Sequence, residues 1–304
     1  MLTLRSLPVR VASAYLRTVT WDIARWRVVT YALRQTKAHG QTLGTATVKT
    51  HHGFKMCLRL HDWVDQHVWA TGNYEDSTAL TIAALLNPGD VAVDIGANIG
   101  FFTLLMAQRV GPSGVVWAFE PSSATRQRLL ANIELNQVGH VKVRKEAISD
   151  REGEAPFFAG NDDHTGLASL RALGADDSSY RVRTSRLGAC IDADPPPRLI
   201  KIDIEGAEHL ALLGMREILA AHHPDLIIEM SDHYLAQMGS SSSEVYTFLC
   251  DLGYRMYVIH WDGVSACARW DDSLPVQFNA LFTVRTHLPP QVPVTALTAS
   301  TSHE

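Results

Sequence analysis

The stretch from Val91 to Gly100 constrains the fold of this chain more than any other. It opens with a short apolar run, which suits a buried parallel strand, and it places an acid, Asp94, where that strand should end. Gly96 follows, and a helical pattern begins directly after Gly100, at Phe101. A strand, a glycine turn and a helix N-terminus together allow a ligand to approach bare backbone.

The glycines of this stretch are not spaced like the G-x-G-x-x-G of dinucleotide-binding proteins. An acid ahead of the glycines suits a ligand with an ammonium group better than one with a pyrophosphate. A second apolar run, Val115–Phe119, ends at Glu120, which is well placed to accept hydrogen bonds from both hydroxyls of a ribose. Each motif alone could be an ordinary turn between a strand and a helix. Their combination at this separation favours a nucleoside-binding site.

Strand and helix patterns alternate along the rest of the chain. Further strands are predicted near residues 141–144, 199–204 and 226–230, with an antiparallel pair over 255–261 and 277–285 that completes the sheet. This order predicts an α/β fold with a doubly wound, Rossmann-like sheet.

Flanking segments divide the chain further. Thr45–Thr50 and Phe54–Leu60 read as a β-hairpin, and the paired histidines at its turn are expected to be solvated because the local sequence lacks further metal ligands. We expect four regions: a basic amphipathic helix extension over 1–44, the hairpin and a helix over 45–84, the α/β domain over 85–286 and a flexible tail over 287–304. Within the domain, 151–198 reads as an insertion whose long polar loop could help to shape a substrate pocket.

Composition excludes several classes of protein. At 304 residues, 46% hydrophobic and 19% charged, the chain can bury a substantial core and is not disordered throughout. Its net charge of −5 gives no broad attraction to nucleic acid, and we predict no nucleic-acid partner. The four cysteines lie far apart without a C-x-x-C spacing, which favours a reducing compartment, the cytoplasm.

The first forty residues are basic, with seven Arg or Lys against one acid. Arginines interrupt any signal-peptide core, and no apolar run is long enough to span a membrane. A basic amphipathic helix of this kind can lie on an anionic membrane surface, which leaves peripheral membrane contact open. We favour packing against the α/β domain or a partner subunit, and the sequence does not indicate an oligomeric state.

A second informative stretch lies at residues 199–206. A central parallel strand should be almost wholly apolar, yet Lys201, Asp203 and Glu205 recur at every second residue and so share one face. Unpaired buried charges are costly, so this break in the pattern indicates a functional site. The alternative is a structural Lys201–Asp203 ion pair at the rim of the sheet. His233 follows the next strand at the same edge and is either a titrating site residue or a surface histidine.

Taken together, these residues resemble a known family. Asp94–Gly100, Phe119–Pro121, Asn132 with Asn136, and Lys201–Glu208 are similar to motifs of the FkbM-type methyltransferases, which belong to the class I, S-adenosylmethionine-dependent superfamily. The resemblance extends from about residue 72 to residue 229. It implies a seven-stranded sheet with a reversed last hairpin and S-adenosylmethionine as the cofactor. It also implies methyl transfer to oxygen, typically a hydroxyl of a sugar, glycolipid or secondary metabolite.

The resemblance also implies a set of cofactor-binding residues. Gly96 and Gly100 would let the methionyl part of the cofactor approach the backbone, and Glu120 would hold the ribose diol. Ala147 and Ile148 would flank adenine, with ordinary core packing as the alternative. The full set is Tyr74, Glu75, Asp94, Gly96, Asn98, Gly100, Glu120, Ala147, Ile148 and Asp203. Asp94 would lie near the ammonium group or the ribose of the cofactor. Tyr74 and Glu75 would close the cofactor pocket from the N-terminal side.

A hydroxyl acceptor must lose its proton as it is methylated, so a base within hydrogen-bond reach is expected. Asp203 is the first candidate, positioned or tuned by Lys201, and His233 is the second. Glu205 and Glu208 could hold a divalent cation together with Asp203, since oxygen ligands suit magnesium or calcium. Nothing in the sequence requires a metal, and we expect none.

Two other functions remain open. One is a cofactor-binding or scaffold protein without catalysis, docked through the N-terminal helix, which the intact acids and glycines disfavour. The other is a methyltransferase for another acceptor class, nucleic acid included. The fourth strand ends in Asp203-Ile204-Glu205-Gly206 rather than an Asn-Pro-Pro-Tyr-type motif, and this sequence together with the acidic net charge disfavours nucleic acid.

Overall fold

The apolar run that begins at Val91 forms a strand whose five residues are all buried. The computed structural model describes residues 31, 44–158, 170, 179–192, 194–267, 269–271 and 274–295. The predicted N-terminal helix therefore lies outside the described residues apart from Tyr31, as do most of the predicted insertion loop and residues 296–304 of the predicted tail.

Within the described residues, fourteen strands and nine helices alternate along most of the chain. The strands are β1 (Thr45–Lys49), β2 (Lys55–Arg59), β3 (Val91–Ile95), β4 (Val115–Phe119), β5 (Val141–Arg144), β6 (Ala147–Ile148), β7 (Gly153–Phe158), β8 (Ser179–Ser185), β9 (Leu199–Ile202), β10 (Asp225–Ser231), β11 (Arg255–His260), β12 (Gly263–Cys267), β13 (Gln277–Thr283) and β14 (Val294–Thr295). The helices are α1 (Trp63–Thr71), α2 (Asp76–Leu85), α3 (Phe101–Val110), α4 (Ser123–Leu135), α5 (Leu187–Cys190), α6 (Glu208–Gly214), α7 (Arg216–His222), α8 (Asp232–Gln237) and α9 (Ser242–Asp251).

The main sheet has the strand order β14-β12-β11-β13-β10-β9-β3-β4-β5. The strands from β10 to β5 are parallel, while β13 runs antiparallel to both β10 and β11. This topology confirms the predicted doubly wound α/β class and the predicted antiparallel pair. The chain builds the sheet in one direction from β3 and in the other from β9, so the strand order reverses between them, where α/β proteins bind ligands.

The sheet is larger than the predicted seven strands because β12 and β14 extend it beyond β11. β12 pairs antiparallel with β11, and β14 pairs parallel with β12. The predicted flexible tail consequently differs from the structure over residues 287–295. There Val292 is buried, and the backbone N–H of Val264 donates to the carbonyl of Pro293 at 2.8 Å. The Pro- and Thr-rich composition gave no sign that apolar side chains of this segment, Leu288 and Val292, pack on the core.

Both faces of the sheet are covered. The β1–β2 hairpin, which pairs as predicted, packs with α1, α2 and α3 on one face, and α6, α7 and α9 pack on the other. Two strands of the predicted insertion, β7 and β8, form a separate three-stranded sheet with β6, in the order β6-β8-β7. Among the described helices, none combines the length and the hydropathy that crossing a bilayer requires.

Gly96 brings the two halves of the sheet into close contact beyond their strand ends. Its φ is +86°, and a Cβ built on it would lie 1.9 Å from the backbone oxygen of Asp203. The turn after β3 therefore packs directly on the segment after β9. Gly100 has a similar role, since a Cβ there would lie 2.5 Å from Cδ1 of Leu129 on α4. The chain itself fills the space that a Cβ would occupy at each glycine. The approach of the cofactor to the backbone of these glycines stays a prediction.

Replacing Gly96 by alanine should strongly destabilise the protein. Gly253 provides a matched control, because it has the same φ of +86° with no atom within 4 Å of a built Cβ. Gly253→Ala should cost about 1–2 kcal/mol of unfolding free energy for its left-handed backbone. Gly96→Ala should cost about 1–3 kcal/mol more, because overpacking adds to the same backbone strain. Urea denaturation of both variants measures the difference, and equal losses would contradict the steric role of Gly96.

Candidate active site

A cavity lies at the carboxyl ends of β3, β4, β9 and β10, with a volume of about 1010 Å³ that includes its open mouth. Its wall is strongly acidic. Among the described residues it is lined by one cationic side chain, that of Lys201, and by six carboxylate side chains: Glu75, Glu120, Glu146, Asp203, Glu205 and Glu229. Such a wall attracts a positively charged ligand.

Three residues of the wall have left-handed backbone conformations. The φ values are +46° at Glu75, +46° at Asn98 and +57° at Glu205. Each costs on the order of 1–3 kcal/mol in a residue other than glycine, and such strain clusters at functional sites. Its concentration around this cavity supports the functional interpretation of the strand ends.

Glu120 is anchored between the glycine turn and α4. Its Oε2 accepts the backbone N–H of Asn98 at 3.0 Å, and its Oε1 accepts that of Ser122 at 2.8 Å. Burial raises the pKa of Glu120 to about 7 despite these hydrogen bonds. Each carboxylate oxygen still has a lone pair for a ligand hydroxyl. The side chain is thus held in place with acceptor capacity to spare.

Lys201 and Asp203 form an ion pair across the end of β9. Nζ of Lys201 lies 2.8 Å from Oδ2 of Asp203, and the lysine side chain is 2% exposed whereas the aspartate side chain is 26% exposed. Burial alone would lower the pKa of Lys201, but the carboxylates of Asp203, Asp94 and Glu75 raise it above its usual range. The ion pair proposed as the alternative interpretation is therefore present, and it belongs to the cavity wall.

Three predicted site residues do not line the cavity. Asp94 is buried, with Oδ2 accepting the Thr103 hydroxyl at 2.5 Å, and burial raises its pKa. Gly100 is the N-cap of α3. His233 is exposed on α8, where its Nε2 lies 3.1 Å from Nε2 of Gln237. The other nine predicted residues do line it: Tyr74, Glu75, Gly96, Asn98, Glu120, Ala147, Ile148, Lys201 and Asp203.

The cavity also contains residues that were not predicted. Glu229 lies two residues before the end of β10, where an acid follows the apolar run Leu226–Ile228, a signal similar to the one that identified Asp94 and Glu120. Its Oε1 accepts the side-chain amide of Gln277 at 2.7 Å. Asn279 on β13 donates to Oε2 of Glu75 at 2.9 Å across 204 positions of sequence. No local pattern could have indicated that last contact.

The three acids that lie close together in the structure are not the three that the sequence suggested as possible ligands of a cation. Asp203, Glu205 and Glu229 each place a carboxylate oxygen within 4.8 Å of the others. Glu208 instead turns inward, and its carboxylate accepts the backbone N–H groups of Ile204 and Gly206 at 3.0 and 2.9 Å. Glu208 therefore fixes the turn after β9. The spacing of Asp203, Glu205 and Glu229 would also suit a divalent cation.

Comparison with known proteins identifies similar sequences. The methyltransferase FkbM domain matches residues 94–256. A relative, 31-O-demethyl-FK506 methyltransferase FkbM of Streptomyces tacrolimicus, is 39% identical over 47% of this chain and 66% of its own length. The AMB antimetabolite synthetase AmbE of Pseudomonas aeruginosa is 30% identical over 49% of this chain and 9% of its own length. The chain thus covers less than two thirds of the length of either relative.

Among solved structures, methyltransferase FkbM from Methylobacillus flagellatus aligns with a TM-score of 0.43 at 16% identity. The alignment covers 92% of this chain and 59% of that one.

Removal of the buried cation should destabilise the folded protein. Lys201→Met leaves Asp203 and Asp94 without their buried positive partner, which should cost about 3–5 kcal/mol of unfolding free energy. Lys142→Met is the control. Nζ of Lys142 lies 4.4 Å from the ring centroid of Trp117, much as Nζ of Lys201 lies 4.7 Å from that of Phe102, but Lys142 is exposed. Chemical denaturation measures both losses. A Lys201→Met loss no larger than that of the control would contradict the proposed charge compensation.

Proposed function

The chain belongs to the FkbM family of S-adenosylmethionine-dependent methyltransferases, and we propose that it methylates a hydroxyl oxygen of a sugar, glycolipid or secondary metabolite. One observation carries the proposal: the carboxylate of Asp203, held by buried Lys201, lies on the wall of the acidic cavity at the strand ends. The hydroxyl acceptor and its class belong to the proposal, whereas the cofactor follows from the family.

The residues of the cavity fit this cofactor. S-adenosylmethionine carries a positively charged sulfur and an ammonium group, and the acidic side chains of the wall, which outnumber its one described cation, provide the complementary charge. Glu120 would accept hydrogen bonds from the ribose, beside the backbone of Gly96 and Asn98. Ala147 and Ile148, both on the wall, would flank the adenine ring. The Tyr74–Glu75 segment would close the cavity on the side of α2.

Asp203 is suited to accept the proton of the acceptor hydroxyl. The bound cofactor supplies a methyl group on a good leaving group, so the attacking oxygen must lose its proton as the new bond forms. Oδ2 of Asp203 is held by Lys201, which leaves Oδ1 to take that proton. The partial exposure of Asp203 lets an acceptor reach it, and Lys201 fixes its orientation.

The relatives support a small-molecule acceptor without defining it. The S. tacrolimicus relative is named for a methyl group on an oxygen of FK506, and it shares 39% identity over part of the chain. The absence of a nucleic-acid partner stays a prediction, as do the cytoplasmic location and any membrane contact of the N-terminal residues. A scaffold function is disfavoured because the cavity retains both the acids and a candidate base.

An acceptor screen tests the proposed function. Purified protein and S-adenosylmethionine are incubated with methyl glycosides of hexoses and 6-deoxyhexoses, with hydroxylated macrolactones and with transfer RNA. Release of the demethylated cofactor reports turnover, and mass spectrometry locates the added methyl group. Methylation on a hydroxyl oxygen supports the proposal, whereas transfer to nitrogen, carbon or a nucleic-acid base would replace it.

Loss of the Glu120 carboxylate should weaken cofactor binding. Glu120→Gln keeps the size of the side chain but replaces one acceptor oxygen by an amide. Hydrogen bonds to a charged group contribute about 1.5–3 kcal/mol, so we expect a loss of affinity of about tenfold or more. Calorimetric titration with S-adenosylmethionine measures it. Glu134→Gln, on the exposed side of α4, is the matched control. Unchanged affinity in Glu120→Gln and Glu120→Ala would remove the ribose assignment.

Asp203→Asn should separate binding from catalysis. The amide keeps the shape of the side chain but cannot take up the proton, so turnover should fall about 10²–10⁴-fold while cofactor affinity is largely retained. Single-turnover assays with an acceptor from the screen measure the loss. Asp251→Asn, exposed at the end of α9, is the matched control. Full activity of Asp203→Asn would exclude this residue as the base.

A further inference from the structure

Glu229 lies in the cavity wall, yet the proposed mechanism does not use it. It lies near the end of β10, directly after Ile228, which pairs with Ile202 at the end of β9 just before Asp203. Carboxylate oxygens of Asp203, Glu205 and Glu229 lie within 4.8 Å of one another. Three ionised carboxylates at this separation would repel one another strongly.

The described cavity wall provides one cation for these three acids. The single cationic side chain of the described cavity wall, Lys201, donates its hydrogen bond to Asp203 at 2.8 Å. Glu229 receives a neutral partner instead, the side-chain amide of Gln277, which donates to its Oε1 at 2.7 Å. Carboxylates that share a site cannot all be ionised at neutral pH, so one of the group retains its proton. Asp203 has the cation as its partner, whereas Glu229 has a neutral amide.

We propose that Glu229 is the neutral member of this group and that its carboxyl O–H donates a hydrogen bond to an oxygen of the methyl acceptor. The inference rests on the proposed function, since it assumes that the acceptor occupies the Asp203 side of the cavity. With Oε1 accepting from Gln277, Oε2 carries the proton. The two neighbouring carboxyl groups then have complementary roles: Asp203 accepts from the acceptor, and Glu229 donates to it.

The electrostatic surroundings of Glu229 agree with this assignment. Burial, followed by the charges of Asp203 and Glu205, raises the pKa of Glu229 to about 10. The ionisable groups near it on all packed elements are those of Tyr74, Glu75, Lys201, Asp203, Glu205 and Glu208. Five of these six can carry negative charge, and the only cation among them is already paired.

A neutral Glu229 also selects the acceptor chemistry. An ammonium group has no lone pair, so it cannot accept a hydrogen bond from a protonated carboxyl. A hydroxyl or ether oxygen can accept one while a neighbouring hydroxyl donates to Asp203. The pair of groups therefore favours neutral, oxygen-rich acceptors over cationic amines at this end of the cavity.

Carbon-13 NMR tests the protonation state directly. Protein labelled at the glutamate side-chain carboxyl carbon is titrated from neutral to alkaline pH, and the resonance missing from Glu229→Gln assigns the signal of Glu229. We expect a protonated carboxyl at neutral pH that ionises only on the alkaline side. An ionised Glu229 at neutral pH would overturn the proposal, as would calorimetric binding of magnesium chloride that Glu229→Gln abolishes.

Activity tests the hydrogen bond. With a glycoside turned over in the acceptor screen, Glu229→Gln retains an N–H donor and should lose less than about tenfold in kcat/KM, chiefly through KM. Glu229→Leu has no donor and should lose about tenfold or more. Equal, large losses in both variants would show that the ionised carboxylate is required and would overturn the proposal. An active Asp203→Asn would instead refute the base in the proposed function, while the NMR titration still decides the state of Glu229.

Discussion

The site depends on a single buried positive charge. Lys201 sits at the end of the central strand β9 with its Nζ 2.8 Å from Asp203, and the carboxylates of Asp94 and Glu75 add to the field that keeps it protonated. Burial raises the pKa of Asp94 and of Glu75, and the charge of Lys201 opposes this shift, because charge in a low-dielectric interior is stable only when it is compensated. Nζ of Lys201 also lies over the ring of Phe102, 4.7 Å from the ring centroid. One cation thus determines which carboxyl group of the wall can act as a base.

Close backbone contact brings these charges together. The turn at Gly96 packs on the backbone of Asp203, and Gly206 also packs closely on α8, since a Cβ there would lie 2.6 Å from the backbone oxygen of Tyr234. A protein whose strand ends are in direct contact can hold several polar side chains in a small cavity without long, mobile connections. The strained backbone at Asn98 and Glu205 is the cost of this compactness.

Sequence reasoning located the strand ends well and the contacts between distant segments poorly. Charged residues and glycines that interrupt apolar runs identified Gly96, Glu120, Lys201 and Asp203 in the wall, because such a break in a buried pattern indicates a functional site. The other five predicted residues of the wall were implied by the resemblance to the FkbM family. Sequence reasoning did not identify the direction of individual side chains: Asp94 points away from the wall into the Thr103 hydroxyl, and Glu208 folds back on its own turn. Those directions depend on which backbone N–H or hydroxyl happens to lie nearby in the folded chain. The pairing of Glu75 with Asn279 depends on the whole topology.

The β1–β2 hairpin shows how such distant contacts complete the site. Asn136 pairs with the backbone N–H and carbonyl of Lys55 as a neighbouring strand would, at 2.7 and 2.6 Å, and so holds β2 against α4. At the hairpin turn, His52 was expected to be solvated but is half-buried, with its Nε2 3.1 Å from Oδ1 of Asn73. The same oxygen accepts the backbone N–H of Tyr74 at 2.9 Å. The hairpin therefore fixes the segment that carries Tyr74 and Glu75. A region that reads as an appendage in sequence is, in the fold, the support for one wall of the active site.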